Sequence, residues 1–115
     1  MSRLLKIEVK NNYGVVEVAK TKEEIEKGLM WRKSLPPNTG MIFLFKDKAK
    51  HVFWMKNTYI PLSLCFVDDD MVIFQAERME PLSEKLVKAT KPCQIVVEMP
   101  QGWFDNMVGE KLKIK

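Results

Sequence analysis

Short apolar runs, separated by residues that favour turns, recur along most of this 115-residue chain and limit it to folds built from short strands. In residues 5–10, apolar side chains alternate with charged ones, which is the period-two pattern of a strand with one buried face. Asn11 and Asn12 supply turn chemistry, and a second strand is predicted from about Tyr13 to Ala19. The chain therefore opens with a predicted antiparallel hairpin.

Further strands are predicted in the middle and at the end of the chain, because apolar, β-branched and aromatic residues cluster there between polar turns. One interval, residues 79–92, has prolines near both ends and little alternation, so it is interpreted as a long loop. In chain order the predicted strands are 41–45 and 51–57 with a hairpin loop at 46–50, then 62–68 and 71–78 across Asp68–Asp70, then 94–99 and 112–114.

One good helix is predicted, at about residues 21–33. Thr21 and Glu24 have the spacing of a capping box, in which each side chain satisfies a backbone donor at the start of a helix. Gly28 would then lie inside the helix, where glycine costs about 1 kcal/mol relative to alanine, and close packing of helix on sheet is the preferred reason for it. Two prolines in residues 36–40 end the helical pattern. A short helical segment is predicted near residues 102–107.

These elements predict a mainly β (α+β) fold, a small antiparallel β-barrel-like domain of about eight strands with one packed helix. Closure of the sheet is favoured because it removes exposed strand edges. An open sheet with the helix across one face is the alternative. The length is that of a single domain, residues 1–115, and 46% hydrophobic with 30% charged residues suits a globular protein with a core.

Composition also bears on location and partners. No apolar run approaches the roughly 20 residues that span a bilayer, and the first residues do not resemble a signal peptide, so a cytoplasmic protein without a membrane partner is predicted. Residues 1–60 carry 12 Lys/Arg and 6 Asp/Glu, whereas residues 61–115 carry 7 and 9. The lysines near residues 22–33 are interspersed with glutamates, which favours a solvated face over a nucleic-acid site.

The chemistry-bearing residues form no recognisable catalytic, metal or cofactor motif, so no cofactor is predicted. His51 is the only histidine, and Asp68–Asp70 are interpreted as a solvated hairpin tip. Cys65 and Cys93 have no metal-site spacing and are predicted to be buried thiols, with a disulfide between them as the alternative.

Several linked motifs carry a resemblance to a known family. They are Gly28-Leu29-Met30-Trp31-Arg32, residues 40–45, Phe53-Trp54-Met55-Lys56-Asn57-Thr58, Ile60-Pro61-Leu62, Val97-Glu98-Met99 and Gly109-Glu110-Lys111-Leu112. In this order they resemble the domain of unknown function 192 family from about Val18 to the C-terminus. The resemblance implies a mostly antiparallel β-barrel-like domain. It does not imply an activity. Ser63 replaces an acidic residue of the family, and residues 93–98 depart from its Pro-Ala-x-x-Val-Leu-Glu strand, which counts against a shared carboxylate mechanism there.

The candidate ligand-binding site is predicted at Arg32, Trp54, Lys56 and Asn57. On a strand from Val52 to Thr58, Trp54 and Lys56 would share one face and place a cation beside an aromatic surface. Asn57 would project from an apolar face, where an amide needs hydrogen-bond partners. Arg32, near the end of the helix, could reach an anionic group or a salt-bridge partner.

Three functional hypotheses follow. The first is a non-enzymatic binding module for a small polar or anionic ligand in a barrel-mouth pocket. The second is a protein-interaction module that uses aromatic and Met anchors. The third is single-stranded nucleic-acid binding through the basic segment 46–56. The anchors of the second hypothesis are Met30, Trp31, Trp103 and Phe104.

Overall fold

The computed structural model describes residues 3–115. Its chain opens with the predicted hairpin, in which β1 (Leu4–Val9) pairs antiparallel with β2 (Asn12–Ala19). Val9 lies opposite Asn12, so the loop has two residues, and Lys10 adopts a positive φ of 56°. Short hairpin loops of this kind favour left-handed backbone because it matches the twist of the strands.

The helix is shorter than predicted. α1 spans Lys22–Lys27 and begins with the predicted capping box of Thr21 and Glu24. It ends because Gly28 adopts φ 50° and ψ −129°, a conformation that glycine tolerates and other residues rarely adopt. The Met30 amide donates to the Lys27 carbonyl at 2.9 Å, which closes a tight turn. Gly28 is therefore a helix terminator, and the prediction of a helix to about residue 33 was wrong.

The third strand shows why the sheet is not wholly antiparallel. β3 spans Thr39–Ala49 and runs parallel to β2. Parallel neighbours need a crossover connection, and residues 20–38, which include α1, provide it. The predicted hairpin loop at 46–50 is wrong, because β3 continues through these polar residues and Ala49 pairs with Cys93 of the later strand.

The predicted strand 51–57 is also largely replaced by turns. β4 contains only Val52–Phe53 and pairs with β7, Val87–Lys88, in a separate two-stranded sheet. After Phe53 the Met55 amide donates to the Ser83 carbonyl, which draws the chain away from strand geometry. The interval 79–92 is thus a loop interrupted by one short strand.

The rest of the sheet follows the predicted pattern closely. β5 (Leu62–Val67) and β6 (Ile73–Met79) form a hairpin, in which the Asp68 carboxylate accepts from the amides of Asp70 and Val72. β8 (Cys93–Pro100) lies between β3 and β5, and β9 (Leu112–Ile114) pairs with β1. The predicted helical segment at 102–107 is instead a series of turns, since only alternate amides, those of residues 103, 105 and 107, donate to carbonyls three residues back.

The seven-stranded sheet has the order β6-β5-β8-β3-β2-β1-β9 and curls into a half-barrel. Its two ends approach each other: the Leu112 amide donates to the Met71 carbonyl, and the Ile73 amide donates to the Glu110 carbonyl. The mostly β, barrel-like prediction is confirmed. No helix within residues 3–115 is long and apolar enough to cross a membrane.

The sheet separates two apolar cores. The inner core lies on the concave face and draws side chains from all seven strands, capped by Phe104. The outer core lies on the convex face, where residues 25–35, 53–60 and 87–89 cover β3, β5 and β8. Cys65 belongs to the inner core and Cys93 to the outer core, and both are buried free thiols, as predicted.

Candidate ligand-binding cavity

A cavity of about 400 Å³ lies within the outer layer, between the sheet and the segments that cover it. Its floor is formed by β3 and β8, and its walls by α1, the turn after α1 and residues 51–58. Most of the wall is apolar or aromatic: Ile25, Leu29, Met30, Phe43, Phe45 and Phe53. The polar or amphipathic lining residues are Glu26, Lys27, His51, Trp54, Thr58 and Glu98.

Local structure explains why these walls stay apart from the sheet. The turn at Gly28 directs Leu29 into the outer core and leaves Glu26 and Lys27 at the cavity mouth, where both are exposed. Phe43 and Phe53 pack edge to face, with ring centroids 5.1 Å apart, a favourable aromatic geometry. These contacts fix the walls without filling the space between them.

Glu98 is the unusual residue of the cavity. It lies in β8 between Met41 of β3 and Leu64 of β5, and only 5% of its surface is exposed. Among residues 3–115 no group donates a hydrogen bond to its carboxylate, and no charged neighbour affects its pKa. Every side-chain oxygen in that range that is inaccessible to solvent has a hydrogen-bond partner. The Glu98 oxygens have no such partner, so they are partly accessible, and Glu98 is one of the residues that line the cavity.

Burial controls the protonation of this carboxyl. Removal from water disfavours the charged form and raises the pKa of Glu98 from 4.5 to about 8. At neutral pH the empty cavity therefore has a neutral carboxylic acid at its base. Such a group can donate a hydrogen bond to a neutral ligand, or release its proton and pair with a cation.

Thr58 supplies a second polar group. Its side chain is buried, and its hydroxyl donates to the Lys56 carbonyl at 3.2 Å. The hydroxyl oxygen still has acceptor capacity for a ligand. Thr58 is held in place by its own backbone, whose amide donates to Met55 and whose carbonyl accepts from Leu82.

Of the four predicted site residues, Trp54 lines the cavity, with 40% of its surface exposed. The Lys56 ammonium lies 5.2 Å from the centre of the Trp54 ring, so the predicted pairing of cation and aromatic surface is present. The alternation that motivated it is absent, because β4 ends at Phe53. Asn57 occupies a left-handed turn position with φ 58°, and its carbonyl accepts from the Trp31 amide at 2.8 Å.

Arg32 is engaged elsewhere. Its guanidinium forms two hydrogen bonds with the carboxylate of Glu17 on β2. This bidentate pair is half-buried and holds the pKa of Glu17 below its usual range. The contact ties the end of the 28–32 turn to the sheet, and Arg32 is not among the cavity-lining residues.

The residues of the two alternative hypotheses do not form one exposed surface. Trp31 is 58% exposed and lies beside Tyr59, and Met30 lines the cavity. Phe104 is buried in the inner core, and the Trp103 indole donates to the Asn38 side chain. In the basic segment, Lys48 pairs with Asp69 and His51 stacks on Phe45. Protein and nucleic-acid binding stay predictions.

Sequence reasoning missed Glu98 as a site residue, although a signal was present. A single carboxylate stands within the apolar run Ile95-Val96-Val97-Glu98-Met99. In a central strand both faces are buried, so a charged residue in such a run has no solvated side. Position 98 was thus a candidate for a buried acid once β8 was recognised as central.

Comparison with known proteins supports the fold and adds no activity. The family model of DUF192, described as "Uncharacterized ACR", matches residues 5–114. A crystal structure of a proposed transcription regulator from Sinorhizobium meliloti 1021 is similar, with TM-score 0.92, 28% identity, and coverage of 98% of this chain and 95% of that one. A protein of unknown function from Novosphingobium aromaticivorans DSM 12444 gives TM-score 0.86, 31% identity, and coverage of 96% and 84%. Comparison with curated proteins finds no match.

Proposed function

This chain belongs to the domain of unknown function 192 family, and we propose that it binds a small organic molecule in the cavity above Glu98. The observation that carries the proposal is the combination of an apolar space of about 400 Å³ with one carboxyl at its base that has no hydrogen-bond partner within residues 3–115. Ligand sites have this composition, because apolar walls supply affinity and a few polar groups fix orientation.

The volume and the chemistry both limit the ligand. About 400 Å³ is near the lower end of ordinary ligand pockets and suits a molecule of modest size. A ligand that buries apolar area against Phe43 and Phe53 gains roughly 25 cal/mol per Å² of area removed from water. The polar part of the sequence-based hypothesis is retained. An anionic ligand is disfavoured, because the apolar and aromatic walls around Glu98 offer its charge no cationic partner at the base of the cavity.

The proposed site is centred on Glu98, which was not one of the four predicted site residues. Trp54 belongs to both, and Lys56 contributes by holding one face of the Trp54 ring. Arg32 acts at a distance, since its pairing with Glu17 anchors the turn that forms one wall. Asn57 has a structural role through its backbone, in the turn between Trp54 and Thr58.

Protein-observed NMR with a library of small neutral, cationic and anionic fragments tests the proposal. We expect at least one fragment class to shift the amide and methyl signals of residues 26–30, 43–45, 51–58 and 98 together. Met30→Trp should weaken this binding by filling the cavity, whereas Leu4→Trp, on the exposed start of β1, should not. Shifts scattered outside these residues, or equal affinity in both variants, would contradict it.

A further inference from the structure

We infer that the ligand is a small organic ammonium ion, whose cationic head pairs with the Glu98 carboxylate while its apolar body contacts the aromatic wall. This inference rests on the proposed function and names the class of ligand for the same cavity. Three independent features support it: the missing partner of Glu98, the aromatic character of the walls, and the weak competing charge at the mouth.

The first feature is the carboxyl itself. Buried carboxylates in proteins are paired with cations or hydrogen-bonded, because an isolated buried charge is strongly destabilising. The residues paired with Glu98 on the two neighbouring strands are Met41 and Leu64. At this position the sheet therefore supplies neither a cation nor a side-chain hydrogen-bond donor. The open direction is toward the cavity, and a ligand entering there can supply both a positive charge and N–H donors.

The second feature is the wall. Cations are attracted to the faces of aromatic rings, most strongly to Trp. Phe43, Phe45, Phe53 and Trp54 line the space. The Lys56 ammonium already lies 5.2 Å from the centre of the Trp54 ring, so the phenylalanine rings are the main aromatic surfaces left for a ligand cation. An aromatic wall above a carboxylate is a suitable environment for an alkylammonium group, and the same wall offers nothing to an anion.

The third feature is the charge at the mouth. The charged or titratable groups that line the cavity besides Glu98 are Glu26 and Lys27 near the end of α1 and His51 before β4. Glu26 and Lys27 have opposite charges, are both exposed, and compensate each other. His51 is stacked on Phe45, with its Nε2 3.0 Å from the Asp47 carbonyl. Glu98, at the base of the cavity, therefore determines which ligand charge is preferred there.

Proton balance gives the inference a distinctive signature. Burial raises the pKa of Glu98 to about 8, so at neutral pH most empty protein holds the proton. Pairing with an ammonium ion favours the ionised carboxylate, so the proton leaves to the buffer when the cation binds. Affinity for an ammonium ligand should therefore increase with pH, by at least about tenfold between pH values of about 6 and about 8.

Three compounds with one apolar body and different heads provide the experiment: 3,3-dimethylbutylamine, 3,3-dimethylbutan-1-ol and 3,3-dimethylbutanoate. Amines of this type stay charged over the range used. We expect the amine to bind at the cavity about tenfold or more tightly than the alcohol at about pH 8, and the acid to bind most weakly. Calorimetry in two buffers of different ionisation enthalpy should detect proton release for the amine only.

Glu98→Gln and Glu84→Gln form a matched pair of variants. Both remove one carboxylate, but Glu98 is buried at the base of the cavity, whereas Glu84 is exposed and lies outside the cavity lining. Glu98→Gln should remove the preference for the amine and its pH dependence, whereas Glu84→Gln should keep both. The wild-type pH series and the proton count test the same point without any variant.

The outcomes distinguish failure of the ammonium inference from failure of the proposed binding function. If the alcohol or the acid shifts the cavity signals and the amine does not bind more tightly, the ammonium inference is overturned and the binding function stands. The same holds if fragments that bind the cavity are neutral or anionic. If no compound in the series or the library binds there, both proposals are overturned.

Discussion

The inner and outer cores lie on opposite faces of the same strands, yet they are built differently. The inner core is enclosed by the curl of the sheet, so strands from both ends contribute to one continuous apolar cluster. The outer core depends on segments with little regular structure to cover β3, β5 and β8. The outer layer borders the cavity of about 400 Å³, with the buried Glu98 carboxyl at its base.

This difference assigns separate tasks to the two faces. A closely packed interior loses stability when even a methylene is removed, so the inner core is expected to dominate the stability of the fold. The covering segments contain two residues other than glycine with positive φ, namely Trp31 and Asn57. Such backbone is uncommon and recurs near functional sites. The outer layer is the part of the molecule in which we propose the binding site.

The largest expected effect is at Gly40, in β3, a strand that contributes side chains to both cores. An ideal Cβ on Gly40 would lie 1.9 Å from the Glu98 carbonyl oxygen and 2.7 Å from the Met99 sulfur. Because backbone cannot yield as a side-chain tip can, Gly40→Ala should force β3 and β8 apart and lower the free energy of unfolding by more than about 4 kcal/mol. Urea unfolding followed by circular dichroism measures this.

Gly109→Ala is the control for that substitution. Nothing lies within 4 Å of a Cβ at Gly109, and only its φ of 95° is unfavourable for alanine. A loss of about 1–3 kcal/mol is expected there. Equal losses in the two variants would show that the close approach of β3 and β8 is not the reason for Gly40.

Next in size is the contrast between aromatic residues of the two cores. Phe104→Ala should lower the free energy of unfolding by about 3–5 kcal/mol, because it leaves a new void in the enclosed inner core. Phe53→Ala should lower it by less, since this ring is only half-buried and its removal loses less buried apolar area. Thermal and urea unfolding of both variants compare them directly, and a larger loss for Phe53→Ala would invert the assignment of stability to the inner core.

A pH-dependent effect is expected from Glu98. The folded protein keeps its proton up to about pH 8, whereas the unfolded chain releases it near 4.5. Because the folded state binds more protons between these values, Glu98 makes the free energy of unfolding fall as pH rises through this window, and the fall ends above it. Glu98→Gln cannot ionise and should be more stable than wild type by a few kcal/mol at about pH 9.

The comparison is made as a difference between the two proteins at each pH. Other carboxylates, such as Glu17, have a lowered pKa and act in the opposite direction, but they contribute equally to wild type and variant. Urea titrations at several pH values supply the difference. If it does not change between about pH 5 and about pH 9, Glu98 is not a buried acid with a raised pKa.

Local patterns in the sequence predicted most of the inner architecture. Alternation and turn residues located the hairpins β1–β2 and β5–β6, and the Thr21 capping box located the start of α1. Each of these depends on residues close together in the chain. The parallel pairing of β2 and β3 was not predicted, because it depends on where the crossover returns the chain to the sheet.

The outer layer was harder to predict because it also depends on contacts between residues far apart in the chain. Periodicity beyond Phe53 suggested a strand, but Met55 bonds to Ser83, which lies 28 positions along the chain, and the strand ends. The burial of Glu98 depends on β8 lying between β3 and β5 with a cover above them, which no local pattern specifies. Trp54 was predicted because an aromatic residue beside a lysine is itself a local signal.

The smallest effect is expected at Lys56, which is exposed and contacts the Trp54 ring at the edge of the outer layer. Exposed contacts between a cation and an aromatic ring contribute about 0.5–1 kcal/mol, and the methylenes of the replacement keep part of the packing. Lys56→Met should therefore change the free energy of unfolding by no more than about 1 kcal/mol. Lys50→Met, a nearby exposed lysine, controls for the loss of one charge. A loss above about 2 kcal/mol specific to Lys56→Met would show that the cavity rim contributes to the stability of the fold. Stability would then not be confined mainly to the inner core, and the proposed separation of a stabilising inner core from a binding outer layer would be contradicted.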